Sequence, residues 1–135
     1  MRELAHGILP AVLAHGGLRA GVNALGARMS VPVAIDVSVG RLPEKVEATA
    51  YFVVAEALTN TAKHAGATAA NVDAAMQGDR LVVQVRDDGR GGADMGGAGL
   101  RGLGDRVAAV GGSLSIDSPP GGGTALSVEL PCASS

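Results

Sequence analysis

The chain has 135 residues, 47% of them apolar, with a formal net charge of −2 and a pI near 5.8. One domain is expected at this length; the charge gives no electrostatic case for nucleic acid as a partner. A single cysteine, Cys132, excludes an internal disulfide and cannot alone hold a metal, and no apolar run reaches the ~18 residues of a membrane span.

Residues 1–16 read as irregular or short helix, broken by Gly7 and Pro10; Glu3, His6, Pro10 and His15 interrupt what would otherwise resemble a signal peptide. Leu18, Val22, Leu25 and Met29 then fall at helical spacing over 17–29. Val33, Ile35 and Val37 alternate with Ala34, Asp36 and Ser38, a half-buried strand. Pro43 opens a long helix, 44–65, that Gly66 ends. Two strands, 69–76 and 80–87, are joined by Gln77-Gly78-Asp79, a hairpin signal. A glycine-rich loop over 88–99 leads to a helix marked by Leu100, Leu103, Val107 and Val110, which Gly111-Gly112 stops. Strands at 113–117 and 124–130 close the chain. The order α-β-α-β-β-α-β-β argues an α+β fold with helices on one face of a mixed or mostly antiparallel sheet.

Two stretches carry chemistry. On the long helix, at 100° per residue with Glu56 at zero, Asn60 falls near ~40°, Lys63 near about −20° and His64 near ~80°. Tyr51, Val54, Ala55, Leu58, Ala62 and Ala65 fall at roughly 160–260°, the expected core face, so the polar stripe is expected to face away from it. A carboxylate, a neutral amide and a cation on one stripe suit a hard cation held between protein and phosphate oxygens. In 81–87, Leu81, Val83, Val85 and Asp87 share one face, which turns Asp87 toward the buried side. A carboxylate there needs a hydrogen-bond donor, and the exocyclic amine of adenine is one, whereas guanine presents a carbonyl. Asp88 is expected to face solvent or cap a loop.

The glycines after Asp88 let a backbone approach phosphate, and a helix beginning near Leu100 aims free N–H groups at an anion, while Arg101 either reaches a phosphate or is simply solvated. Gly97-Ala98-Gly99-Leu100-Arg101-Gly102 matches the dinucleotide pattern GxGxxG literally, but it comes after a glycine loop rather than a strand, and too little chain remains after Gly102 for a Rossmann half. No P-loop motif is present. Gly121-Gly122-Gly123-Thr124 reads as a hairpin connection whose Thr124 hydroxyl could also touch phosphate.

In this order the pieces resemble the GHKL ATP-binding fold, specifically the catalytic domain of bacterial sensor histidine kinases. Glu56-x-x-x-Asn60-x-x-Lys63-His64 resembles that family's N box, Asp87-x-Gly89-x-Gly91 its first glycine box, Gly97-x-Gly99-Leu100 its second, and Gly123-Thr124 its terminal glycine-threonine motif. The match covers about residues 30–131. Leu4-Ala5-x-Gly7-Ile8-x-Pro10 and Gly17-Leu18 resemble the linker of the nitrate-sensor-like subfamily, and the short segment between Gly92 and Gly97 suits its small ATP lid.

The resemblance implies a two-layer α/β sandwich of Bergerat type, with 1–29 as a linker remnant after the dimerisation and phosphoacceptor helices and 30–135 as the ATP-binding domain. It implies ATP and Mg²⁺ as cofactors. Asn60 would hold Mg²⁺ and Asp87 would read adenine. Lys63 and His64 would contact phosphates, and Glu56 would orient a water or act as a base. Gly89 and Gly91 would shape the adenine pocket. Gly97, Gly99, Leu100 and Arg101 would form the lid hinge and phosphate loop, and Thr124 would support the site. Ala98 departs from the more polar residue usual between the two glycines of the second box.

A phosphoacceptor histidine should precede an acidic residue, yet His6 precedes Gly7, His15 precedes Gly16 and His64 precedes Ala65. The γ-phosphoryl group is therefore expected to go to a histidine outside this chain. The implied partners are the protein's own dimerisation domain and a response regulator with a helix-turn-helix output; the isolated domain is expected to be monomeric and cytoplasmic. A serine kinase of the same superfamily, such as an anti-sigma factor, or an ATPase module is the alternative, and a dinucleotide-binding module a remote one.

Overall fold

A computed structural model describes residues 11–64, 66–89, 98–119 and 121–132, without the side chains of Ala11, Val12, Ala14, Lys63, His64 and residues 98–101. The elements are α1 (Ala11–Ala27), β1 (Val33–Val37), α2 (Glu44–His64), β2 (Ala70–Gln77), β3 (Arg80–Asp87), α3 (Ala98–Ala109), β4 (Ser113–Asp117) and β5 (Thr124–Pro131). Their order is the one expected, and the strands form one five-stranded sheet in the order β1-β2-β3-β5-β4. Only β1 and β2 are parallel, because α2 carries the chain back between them, whereas hairpin-joined neighbours run antiparallel.

Register stacks the apolar side of each strand into rungs. Ile35, Val72, Val85, Leu126 and Ile116 lie across the sheet in one row, and Val37, Ala74, Val83, Val128 and Leu114 in another. All three helices supply the opposing layer: Leu18 and Val22 from α1, Val46, Ala50, Val53, Val54 and Leu58 from α2, and Leu103 and Val107 from α3. The other face of the sheet is polar and carries Arg86–Asp73 and Arg80–Glu129 ion pairs, exposed enough to add little. Among the described residues, no helix is long and apolar enough to cross a membrane.

Three local features differ from expectation or sharpen it. Helix α1 begins at Ala11, earlier than expected, and is two helical pieces joined at Gly17, whose φ of 78° breaks the run; Leu13 on the first piece is fully buried. The segment expected to be linker thus shares the core with α2 and the sheet. Helix α3 ends in a Schellman motif, with Gly112 N–H bonding to the Val107 carbonyl at 2.9 Å and Gly111 N–H to Ala108 at 3.0 Å.

The third difference matters most. The buried face of α2 comprises Val46, Ala50, Val53, Val54, Ala57, Leu58 and Thr61, with Glu47 and Thr49 also buried, while Ala62 is exposed and Tyr51 and Ala55 are half-buried. On the same wheel this face centres near ~120°, not in the ~160–260° sector. Alanines at 55 and 62 look apolar in sequence but have little area to bury, so they do not set a face, and Ala65 lies outside the described residues. Glu47 and Thr61 look polar yet are buried, because each has found a partner.

Glu47, 2% exposed, accepts from Arg41 through Nε (3.1 Å) and Nη2 (3.3 Å) and from Leu42 N–H (3.0 Å). A Cβ on Gly17 would stand 2.8 Å from Arg41 Cδ and 3.3 Å from Glu47 Oε2. One buried carboxylate therefore ties the α1 kink, the 38–43 loop and the first turn of α2. Arg41→Ala should lower stability by about 2 kcal/mol in denaturant titration, less than the ~3–5 of a fully enclosed pair because water reaches the arginine side. Glu47→Gln added to it should recover part of that loss, since no buried charge then remains unpaired.

Candidate functional site

The apolar ladder of the sheet ends in a polar rung. Asp87, last residue of β3, is the register partner of Ala70 on β2 and of Thr124 on β5. Directly opposed residues in antiparallel strands share a face, so Asp87 and Thr124 stand side by side on the helix-facing side, with the small Ala70 leaving room beyond. Burial of Leu81, Val83 and Val85, and half-burial of Asp87, agree with the expected alternation.

Each Asp87 oxygen has a donor. Gly89 N–H donates to Oδ1 at 2.9 Å, closing a tight turn, and the Thr61 hydroxyl of α2 reaches Oδ2 at 2.9 Å. The connection from β4 packs against the same residue. A Cβ on Gly123 would lie 2.5 Å from the Asp87 carbonyl oxygen, and Gly123 has φ 78°. Both close approach and backbone conformation thus require glycine before Thr124. The Thr124 hydroxyl is 2.7 Å from that of Ser118, which bridges the two ends of the hairpin.

Asp88 plays a different part. It is exposed and accepts from Thr68 N–H (2.8 Å), Ala69 N–H (3.2 Å) and the Thr68 hydroxyl, which pins the entry to β2. The Thr68 hydroxyl first, then these N–H groups, hold its carboxyl below the usual 3.8. It is the loop cap expected of it.

Glu56 and Asn60 are half-buried on α2, at the margin of the buried face rather than opposite it. Phe52, one turn before Glu56, lies under the Arg106 guanidinium of α3 at 4.2 Å from its ring centre. A cation over an aromatic face is attractive, and the contact fastens α3 beside the polar stripe. Among the other expected site residues, Lys63 and His64 fall in the last turn of α2 and Gly99, Leu100 and Arg101 in the first turn of α3, their side chains outside the described residues. Gly91 and Gly97 lie outside the described residues altogether. Described geometry therefore brings together Asp87, Gly89 and Thr124, with α2 and its Asn60 alongside through Thr61.

Thr61 was not among the candidates. Its signal was a polar residue, near ~140° on the wheel, in a sector otherwise filled by Ala50, Val54 and Ala57. No group of three or more His, Cys, Asp or Glu residues that could hold a metal occurs among the described residues.

Asp88→Asn gives a pH test of the loop cap. A carboxyl lowered in the folded state contributes stability at pH above 3.8, lost as pH falls through its folded value. The variant should therefore show a flatter fall of Tm below about pH 4 than the parent, read by thermal melts across the acid range.

Known proteins share both sequence and fold with this chain. Residues 45–134 match the family model described as histidine kinase-, DNA gyrase B- and HSP90-like ATPase. The signal transduction histidine-protein kinase/phosphatase UhpB of Salmonella typhimurium is 40% identical over 67% of this chain and 18% of its own length. The sensor histidine kinase NarS of Mycobacterium tuberculosis is 33% identical over 97% of this chain and 33% of its own. The chain thus spans a third or less of these relatives. The histidine kinase domain of a blue-light activated kinase from Erythrobacter litoralis superimposes with TM-score 0.69 at 25% identity, covering 84% of this chain and 58% of that one.

Proposed function

We propose that this chain, which belongs to the histidine kinase-, DNA gyrase B- and HSP90-like ATPase family, transfers the γ-phosphoryl group of ATP to a histidine on a separate dimerisation domain. The observation that carries this reading is the Asp87 rung: a half-buried carboxylate with Thr124 beside it, glycines on either side, and α2 packed against it. Similarity to sensor histidine kinases supports the histidine as acceptor.

In this reading Asp87 accepts from the adenine amine, and Gly89 and Gly91 shape the floor under the base. Thr124 supports Asp87 from the neighbouring strand. Asn60 would offer its amide oxygen to Mg²⁺, which would supply positive charge against the phosphates. Lys63 and His64 contact phosphates, and Glu56 orients a water or takes a proton. Gly97, Gly99, Leu100 and Arg101 let the chain close over the phosphates, with the first N–H groups of α3 as anion donors. Phosphoryl transfer asks little covalent chemistry of the protein; positioning and charge stabilisation do most of it. Residues 1–29 come after the dimerisation and phosphoacceptor helices, although α1 packs as part of the catalytic body. The onward partner is a response regulator with a helix-turn-helix output, and the catalytic event takes place in the cytoplasm.

The test is a transfer assay with labelled ATP, Mg²⁺ and a panel of dimerisation domains from nitrate-sensor-like kinases. Label should appear on the domain's histidine, and Asn60→Ala should reduce the rate at least about 100-fold, a loss on the scale of one charge-stabilising contact. Absence of label on every domain supplied, or an Asn60→Ala variant as fast as its parent, would contradict the reading.

A further inference from the structure

At an open position of the Glu56–His64 motif stands one more residue, Thr61, whose role rests on the reading of Asp87 as the adenine contact. It sits on α2 next to Asn60 and is 3% exposed. Its Oγ1 lies 2.9 Å from Asp87 Oδ2 and 3.1 Å from the carbonyl of Ala57, one turn back. A hydroxyl carries one proton. The carboxylate is closer and charged, whereas a carbonyl inside a helix already accepts an N–H, so the proton goes to Asp87.

The other oxygen, Oδ1, is held by Gly89 N–H at 2.9 Å. These two donors come from separate parts of the fold, helix α2 and the turn after β3. Rotating the carboxylate about its own axis would break both bonds at once. Each oxygen still keeps lone pairs for a further donor. Thr61 thereby fixes the plane in which Asp87 presents those lone pairs, and it does so from the same helix that carries Asn60.

We propose that Thr61 is a nucleobase-positioning residue, whose hydroxyl locks the Asp87 carboxylate in the orientation that accepts from an amino group and rejects a carbonyl. A free carboxylate could swing aside from a guanine carbonyl and would discriminate less. A locked one cannot relax, so the purine with the amine is favoured and the purine with the carbonyl meets the full repulsion. The same bond couples the base-reading strand to the helix beside the phosphates, with no contact between Thr61 and nucleotide required.

The experiment is titration of the chain with adenylyl and guanylyl imidodiphosphate in Mg²⁺, for the parent, Thr61→Val, Thr61→Ser and Asp87→Asn, each checked by thermal melting. Thr61→Val should weaken the adenine nucleotide about 5–10-fold and leave the guanine one unchanged or up to about twofold tighter, because the freed carboxylate swings aside from the carbonyl. Thr61→Ser keeps the hydroxyl and should stay within about twofold of the parent for both. If Thr61→Val does not melt cooperatively, Thr61→Ala takes its place with the same expectation. An unchanged adenine-to-guanine ratio in Thr61→Val, equal losses for both nucleotides, or a Thr61→Ser variant no better than Thr61→Val would overturn the proposal. If Asp87→Asn narrows the ratio and Thr61→Val does not, only the role of Thr61 falls; if Asp87→Asn leaves the ratio intact, the adenine reading of Asp87 falls with it.

Discussion

A carboxylate at the edge of an apolar layer needs donors, and this fold is arranged to give them to Asp87. The residue ends the strand row formed by Leu81, Val83 and Val85, so its direction is set by the alternation that buries those three. Leaving its charge unmatched there would be costly. The Thr61 hydroxyl and the Gly89 N–H meet it, one on each oxygen. Helix α2 is thereby fixed against the sheet at the strand end where the helix-facing side turns polar.

That placement governs much of the rest. Because Thr61 turns inward, the buried face of α2 rotates toward Ala57, and Glu56 and Asn60 come to lie at its border. A polar stripe facing straight out would meet only solvent. At the border it stays half-buried on the helix whose next residue, Thr61, bonds to the end of β3, the placement that the proposed nucleotide site calls for. Arg106 over Phe52 holds α3 along the same side. At the far end of α2, Glu47 performs a similar service for α1, with Arg41 and Leu42 as donors.

The strands, the hairpin at Gly78-Asp79 and the stops at Gly66 and Gly111 were legible because period-two alternation and glycine punctuation are local signals. Asp87 was legible for the same reason, and so was the capping part of Asp88. The orientation of α2 was not. It depends on which polar residues find partners far along the chain, and neither the Thr61–Asp87 nor the Glu47–Arg41 contact leaves a mark in hydrophobic spacing. The helical piece before Gly17 was obscured by Pro10 and by two glycines in a row. The pairing of Asp87 with Thr124 needed the sheet order, which places β5 between β3 and β4.

Calorimetric titration of the folded 135-residue chain with adenylyl imidodiphosphate, with Mg²⁺ and then with chelator, addresses the central claim that these separated segments form one nucleotide site. Saturable one-to-one heat that weakens when the metal is withdrawn is the outcome predicted. A sample that melts cooperatively yet gives no heat at millimolar nucleotide would contradict the account.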